Sequence, residues 1–339
     1  MLTVVAEFSS LWSEAVERLY LTLRDSYGYL GIYGLREIGR GLDARVYRGE
    51  SALLGPVAVR VPHARWLSSG NETRLDTRLQ LRQDFDLSRH LRAHGLPVPE
   101  VFTAHTSGPG ADFTIAEYVE SDDTELPDDE FGRLVRAIHE IPAPALDLVC
   151  MESRDDADQV LAQRIGERLR NLGAVTELDV PFPDVRAALA ADPGDGLPRR
   201  LLHMDLRKEN ILVRAGRPVA ILDWSNALVG DPALDLARAA EYGSLTPAAL
   251  AAYGDAGGFT MSALTVPSPR QAVYRLDTAV MLSHVFLDGA PDQAKARHYI
   301  ERTKSLCRRL ACGTGSGLGG RDGEGRKVTV LLAGRGRVV

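Results

Sequence analysis

Lysine is scarce in this chain of 339 residues. Of 40 basic residues only Lys208, Lys295, Lys304 and Lys327 are lysine, and none lies in the first 207 positions. That excludes any mechanism needing a lysine from the N-terminal part. Cysteine is scarce as well. Cys150, Cys307 and Cys312 make neither a disulfide framework nor a zinc site, and they suit a reducing compartment. Nowhere do about 18 apolar residues run together, so no membrane span is expected. The opening Met1-Leu-Thr-Val-Val-Ala-Glu-Phe lacks a basic start and is broken by Glu7, so a signal peptide is not expected and a cytoplasmic location is. Basic charge is not in surplus: a net charge of -6 argues against nucleic acid, because phosphate neutralisation favours a basic surface.

What is present is a globular composition, 45% hydrophobic and 25% charged, which excludes overall disorder and collagen. The length supports one large domain or two moderate ones. Residues 9–26 read as an amphipathic helix, with Trp12, Val16, Leu19, Tyr20 and Leu23 on one face and Ser9 or Ser10 as cap. From Leu35 to Val61 glycine and alternating apolar residues suggest strands, with a hairpin around Gly55-Pro56. A helix is expected over 71–94, with Leu79, Phe85, Leu87 and Leu91 inward. It stops at Gly95-Leu-Pro-Val-Pro, where glycine caps and proline blocks continuation. Strands near 100–105 and 113–119 follow, then an acidic linker over 121–130 leading into a helix at 128–141. Beyond it the chain reads as mainly helical, interrupted by an apolar stretch at 201–223. Strands followed by helices predict an α+β, two-lobed fold. The expected parts are a β-rich lobe with a leading helix over 1–119, a helical lobe over 120–312 and a glycine-rich flexible tail over 313–339.

The densest polar signal is Leu201-Leu-His-Met-Asp-Leu-Arg-Lys-Glu-Asn-Ile-Leu-Val213, which contains His-x-Asp-x-x-x-x-Asn as His203, Asp205 and Asn210. Thirteen residues after Asn210, Asp223 closes the apolar run Ile221-Leu-Asp-Trp. Apolar residues flank both sets, so each is expected at the end of a buried strand, facing a cleft. Phosphoryl transfer needs a carboxylate to orient the attacking hydroxyl and oxygen ligands to hold magnesium against phosphates. Asp205 suits the first task, and Asn210 and Asp223 the second. Singly, each would more readily be a turn or cap residue. Their order and flanking together favour kinase chemistry.

The segment resembles the catalytic loop of the protein-kinase-like superfamily, and more closely that of the aminoglycoside phosphotransferase family. That family reads His-Gly-Asp-x-x-x-x-Asn, then Ile-Asp-Trp or Ile-Asp-Phe, then Gly-Asp-Pro-x-x-Asp-Leu-Ala. Here the last motif is Gly230-Asp-Pro-Ala-Leu-Asp-Leu-Ala237. The resemblance covers about residues 35–300 and implies a protein-kinase-like fold with the nucleotide between the lobes. It also places further parts. Ile38-Gly-Arg-Gly-Leu-Asp-Ala-Arg-Val-Tyr47 resembles a glycine-rich loop, in which Gly39 and Gly41 admit phosphate to the main chain and Ala44 replaces the third glycine. Val57-Ala-Val-Arg60 stands where a kinase has Val-Ala-Ile-Lys, and Asp84 aligns with the partner glutamate. An Arg60–Asp84 pair has similar combined reach, and guanidinium binds phosphate bidentately. Arg207 is placed to stabilise the transferred phosphate, with Lys208 competing for that task. Around Glu117-Tyr118-Val119 the main chain of Glu117 and Val119 would receive the adenine of ATP, with GTP an open alternative. Mg2+ would lie on Asn210 and Asp223. Asp231, Asp235 and His139 are expected to be structural.

The implied reaction is ATP-dependent O-phosphorylation of a small molecule. The acceptor expected is an antibiotic of aminoglycoside, aminocyclitol or nucleoside type, with Asp155, Asp156, Asp158, Glu241 and Asp277 as candidate acidic contacts. Two alternatives stand beside it. One is a metabolic kinase of a small alcohol such as choline, homoserine or a sugar. The other is a weakly active nucleotide-binding regulator, motivated by the Arg60 and Asp84 departures. A monomer or homodimer is expected.

Overall fold

The computed structural model describes residues 16–108, 110–122, 124–152, 155–193, 199–255 and 268–313. Trp12, the Ser9 and Ser10 caps and the expected tail from residue 314 lie outside them.

Helix α1 occupies 16–27 and buries Leu19 and Leu23, one helical turn apart. Tyr20, expected on the same face, is 40% exposed, because it lies about 100° around the helix from Leu19. The helix covers one face of a five-stranded antiparallel sheet. Its strands are β1 (Ile32–Arg40), β2 (Ala44–Ser51), β3 (Gly55–Pro62), β6 (Val101–His105) and β7 (Phe113–Glu117), in the order β1-β2-β3-β7-β6. In β3 the two-residue period sends Val57 and Val59 into a small core with Leu19, Leu23, Phe113 and Ile115. Ala58 and Arg60 therefore face the other way, which aims Arg60 at helix α2.

Helix α2 (Thr77–Ala93) begins six residues later than the sequence suggests. Before it the chain folds into a small hairpin, β4 (Trp66–Leu67) with β5 (Leu75–Asp76), and the Asp76 carboxylate caps the helix by accepting the Arg78 amide at 3.0 Å. Leu87 and Leu91 are buried as expected, but Leu79 is 48% exposed. The helix ends as its sequence dictates. Gly95 takes the left-handed conformation (φ 81°), and the Leu96 amide reaches back to the Leu91 carbonyl at 3.1 Å.

The second half supplies α3 (Asp128–Glu140), α4 (Ala157–Val175), α5 (Val185–Ala191), α6 (Pro232–Glu241), α7 (Pro247–Asp255), α8 (Pro269–His284) and α9 (Gln293–Gly313). Short strands β8 (Arg200–Leu202), β9 (Ile211–Arg214), β10 (Arg217–Ile221) and β11 (Leu228–Gly230) interrupt the helices. Ser268 caps α8, and almost every residue of that helix is buried, so it forms the axis around which α4, α5, α6 and α9 pack. The large core also takes in Leu87, Leu91, Leu96 and Val98, so α2 and its exit loop pack into both halves.

A strap over 66–76 adds a second link between the halves. The Asn171 amide donates to the Gly70 carbonyl (3.0 Å) and the Asn71 amide to the Met281 carbonyl (3.1 Å). Arg168 bonds both the Asn71 carbonyl and Glu72. Among the described residues no helix is long and apolar enough to cross a membrane.

Candidate active site

The loop after β8 is bent at Met204, whose φ of 63° turns the chain back on itself. Asp235 of α6 holds that bend: its carboxylate accepts the His203 amide at 2.8 Å and the Met204 amide at 2.7 Å. His139 bonds the same carboxylate at 3.2 Å and Tyr253 at 3.1 Å, all of it fully buried. Burial pushes the Asp235 carboxyl up, but the His139 bond and charge and the His203 amide outweigh it and hold it below the usual range. Asp231 caps α6 through the Ala233 amide and accepts the Tyr274 hydroxyl. These three residues are thus structural, as the sequence suggests.

Asp205 sits just past the bend, with 8% of the residue exposed. Its Oδ2 accepts the Asn210 amide at 2.7 Å and faces Arg207 at 3.3 Å. Its Oδ1 accepts the Tyr242 hydroxyl at 2.8 Å. Burial pushes the Tyr242 phenol up, which keeps it a donor at any physiological pH. His203 joins this loop to the next: its Nδ1 accepts the Asp205 amide (3.2 Å) and its Nε2 donates to the Leu222 carbonyl (2.9 Å). Asp223 follows Leu222 in the left-handed region (φ 62°), a conformation that costs a non-glycine residue about 1–3 kcal/mol and clusters at functional sites. Its Oδ1 accepts the Ser225 hydroxyl at 2.7 Å.

Arg60 bonds Asp84 at 2.6 Å, and Asp223 and Asp43 also act on its charge. One cation thus faces three carboxylates. Burial pushes Asp84 and Asp43 up in spite of Arg60. Burial acts on Asp223 in the same sense, but there Arg60 and the Ser225 bond prevail, and its carboxyl lies below the usual range. The surplus negative charge and the hard oxygen donors suit a divalent cation. The bonds above leave the Asn210 Oδ1 and Asp223 Oδ2 atoms out. Among the described residues no three acidic, histidine or cysteine side chains converge into a complete metal site.

A cavity of about 660 Å³ opens beside Asp205 and reaches Leu42, Asp43, the strap and the last turn of α8. Glu117 and Val119 do not line it. They border a separate cavity of about 540 Å³ with Pro56, Leu96 and Val219, and the Glu117 side chain turns to Arg92 and to the Glu100 amide. Gly39 and Gly41 flank the cavity's Leu42 edge without lining it. At Gly39 an added Cβ would meet nothing and φ is ordinary, so the fold itself does not require glycine there. Lys208 turns to Asp128 at 2.8 Å, so of the two candidates Arg207 is the one beside Asp205.

The acidic contacts expected for a cationic acceptor lie elsewhere. Asp158 bonds Arg270, Asp156 caps α4, Asp155 accepts the Glu152 amide, Glu241 bonds Arg302, and Asp277 is fully buried among arginines. None of the five lines the cavity. Sequence reasoning also misses Gln83 and Tyr242. Gln83 ties α2 to the Asp223 loop, donating to the Trp224 carbonyl at 2.7 Å and accepting the Val149 amide at 2.7 Å. Its signal was available: Thr77, Gln80 and Gln83 are polar at three-residue spacing on the buried face of α2.

Residues 34–266 match the model of the phosphotransferase enzyme family. No match is found among curated proteins. Among solved structures the chain is similar to a protein from Haemophilus somnus 129PT named after fructosamine-3-kinase (16% identity, 88% of this chain and 98% of that one, TM-score 0.65). It is also similar to a thermostable mutant of aminoglycoside phosphotransferase APH(4)-Ia, solved with ADP and hygromycin B (16%, 89% and 99%, TM-score 0.59). A third is a macrolide 2'-phosphotransferase type I (17%, 85% and 96%, TM-score 0.56). At these identities the likeness establishes the fold.

Proposed function

The chain belongs to the phosphotransferase enzyme family, and on that premise we propose that it moves the γ-phosphoryl group of ATP to a hydroxyl of a small molecule. The observation that carries the reading is Asp205 at the end of a cavity large enough for a small acceptor, its two oxygens fixed by Tyr242 and Asn210. Asp205 takes the hydroxyl proton as the acceptor oxygen bonds to the γ-phosphorus. The bond from that phosphorus to the β-bridging oxygen breaks, releasing ADP, and no phosphoenzyme forms. Arg207 stabilises charge on the transferring group. Arg60, steered by Asp84, contacts the nucleotide phosphates, and the Gly39 and Gly41 main chain covers them. The main chain of Glu117 and Val119 receives the base. Asn210 and Asp223 would hold Mg2+, which when bound neutralises phosphate charge.

The neighbours named for aminoglycoside and macrolide phosphotransferases support an antibiotic acceptor, with its inactivation as the outcome. The neighbour named after fructosamine-3-kinase supports a second reading, a metabolic kinase. The absence of the five expected carboxylates from the cavity wall favours the second. The Arg60–Asp84 pair counts against the weakly active nucleotide-binding regulator, which these two departures motivated. Cys150, Cys307 and Cys312 are unpaired, which supports a cytoplasmic location.

The test is ATP consumption over a panel of antibiotics and metabolic alcohols, with mass spectrometry for one added phosphoryl group. Asp205→Ala should lower turnover by roughly 10²–10⁴-fold while nucleotide binding persists. Full turnover in that variant would reject the assignment.

A further inference from the structure

Resting on that kinase reading, we infer that the acceptor carries an anionic group, a carboxylate or phosphate, near the hydroxyl that is phosphorylated, and that Arg238 receives it. The inner wall of the cavity is built from Arg164, Arg168 and Arg238, whose side chains are 11%, 4% and 4% exposed. Asp277 lies behind them. It accepts two bonds from Arg164 (3.0 and 2.8 Å) and one from Arg168 (3.1 Å). Glu72 reaches Arg168 at 3.1 Å from the strap. These three buried cations face two carboxylates here, and Asp205 is the next carboxylate to act on Arg238.

Arg238 carries the unmet donor. It stands 3.7 Å from Asp277, beyond hydrogen-bond reach, and its Nε is buried with no hydrogen-bond partner among the described residues. A buried N–H without an acceptor is costly unless something supplies one. Guanidinium offers Nε and Nη as a fork that matches a carboxylate or phosphate edge. The crowding of cations registers on Arg168: burial and the Arg164 charge push it down to about 10.

The place is also right for chemistry. Arg238 bonds the Tyr242 hydroxyl, and that hydroxyl donates to Asp205 at 2.8 Å. An anion seated on Arg238 would therefore lie one side chain away from the group that takes the hydroxyl proton. Five acidic side chains border the cavity as well. Asp288 is exposed, Glu72 is committed to Arg168, Asp76 caps α2 and meets Arg65, Asp43 acts on Arg60, and Asp205 stands beside Arg207. A polycation entering this cavity would meet arginine at its inner end.

The experiment compares matched acceptors: gluconate against gluconamide, glycerol 3-phosphate against glycerol, and kanamycin as the polycation. The anionic member should be used better by about tenfold or more. Arg238→Gln should erase that preference through the acceptor KM while the ATP KM holds, and Arg238→Lys should restore part of it. Preference for the neutral member or kanamycin, or a preference that survives Arg238→Gln, overturns the inference. A binding arm covers acceptors outside the panel. With ADP saturating, sulfate at low millimolar concentration should raise the Tm of the wild type and of Arg60→Ala, but not of Arg238→Gln. Sulfate stabilisation kept in Arg238→Gln and lost in Arg60→Ala also overturns it. An Arg238-dependent sulfate effect without ATP consumption on any acceptor would sink the kinase reading and leave the anion site standing.

Discussion

Arg60 answers the want of lysine in the first half of the chain. It reaches Asp84 across the cleft face of the sheet because the strand period places it opposite Val57 and Val59. Its charge is shared by Asp84, Asp43 and Asp223, so removing it leaves three carboxylates without their common cation. Arg60→Ala should raise the ATP KM by about tenfold or more, and Arg60→Lys should keep part of the loss from appearing. Initial rates against ATP concentration check this; a wild-type KM in Arg60→Ala would dismiss the assignment. The bond between Asp205 and Asn210 is legible at this scale because their spacing is local to one loop. Tyr242 is not: it meets Asp205 from 37 positions away, by the way α6 lies against the loop.

The elements themselves were mostly readable, since apolar period and turn residues act locally. Gly95 ends α2 where the sequence says it should, and the sheet strands fall within a few residues of expectation. The start of α2 was misjudged because the strap before it is polar and short, and it is held by the distant Arg168, Asn171 and Met281 rather than by its own pattern. Two glycines show what element packing demands. A Cβ on Gly70 would fall 1.9 Å from the His284 ring, and one on Gly132 of α3 would fall 2.0 Å from the Ala249 carbonyl of α7. The second obstacle is main chain, which cannot swing aside. Gly132→Ala should therefore push α3 from α7, destabilise the fold by about 1–3 kcal/mol and lower the Tm. Thermal unfolding followed by circular dichroism measures it, and an unchanged Tm would mean the helices separate at no cost.

Across the whole molecule, buried carboxylates set the acid limit. Burial pushes Asp277 up, but Arg164, Arg168 and Arg238 outweigh it and hold the folded-state carboxyl below its ordinary value of 3.8. The unfolded chain then binds more protons between the two values. The Asp277 contribution is complete above 3.8 and fades as pH falls through the lower, folded value. Asp277→Asn should cost about 3–5 kcal/mol near neutrality, because it strands buried arginines. The Tm gap between wild type and variant should then close as the pH is taken below 3.8; a gap independent of pH would show the pair to be uncharged.

By itself the sequence determined the α+β class, the order of strands before helices, the His-x-Asp-x-x-x-x-Asn spacing and the arginine at position 60, because each depends on neighbours along the chain. Only the tertiary structure decided which charges line the cavity beside Asp205. Asp277, read from sequence as a contact for a cation, is spent on three arginines, and the free donor belongs to Arg238. That choice rests on how α4, α6 and α8 pack, and burial, not residue type, settles which donor is left without an acceptor.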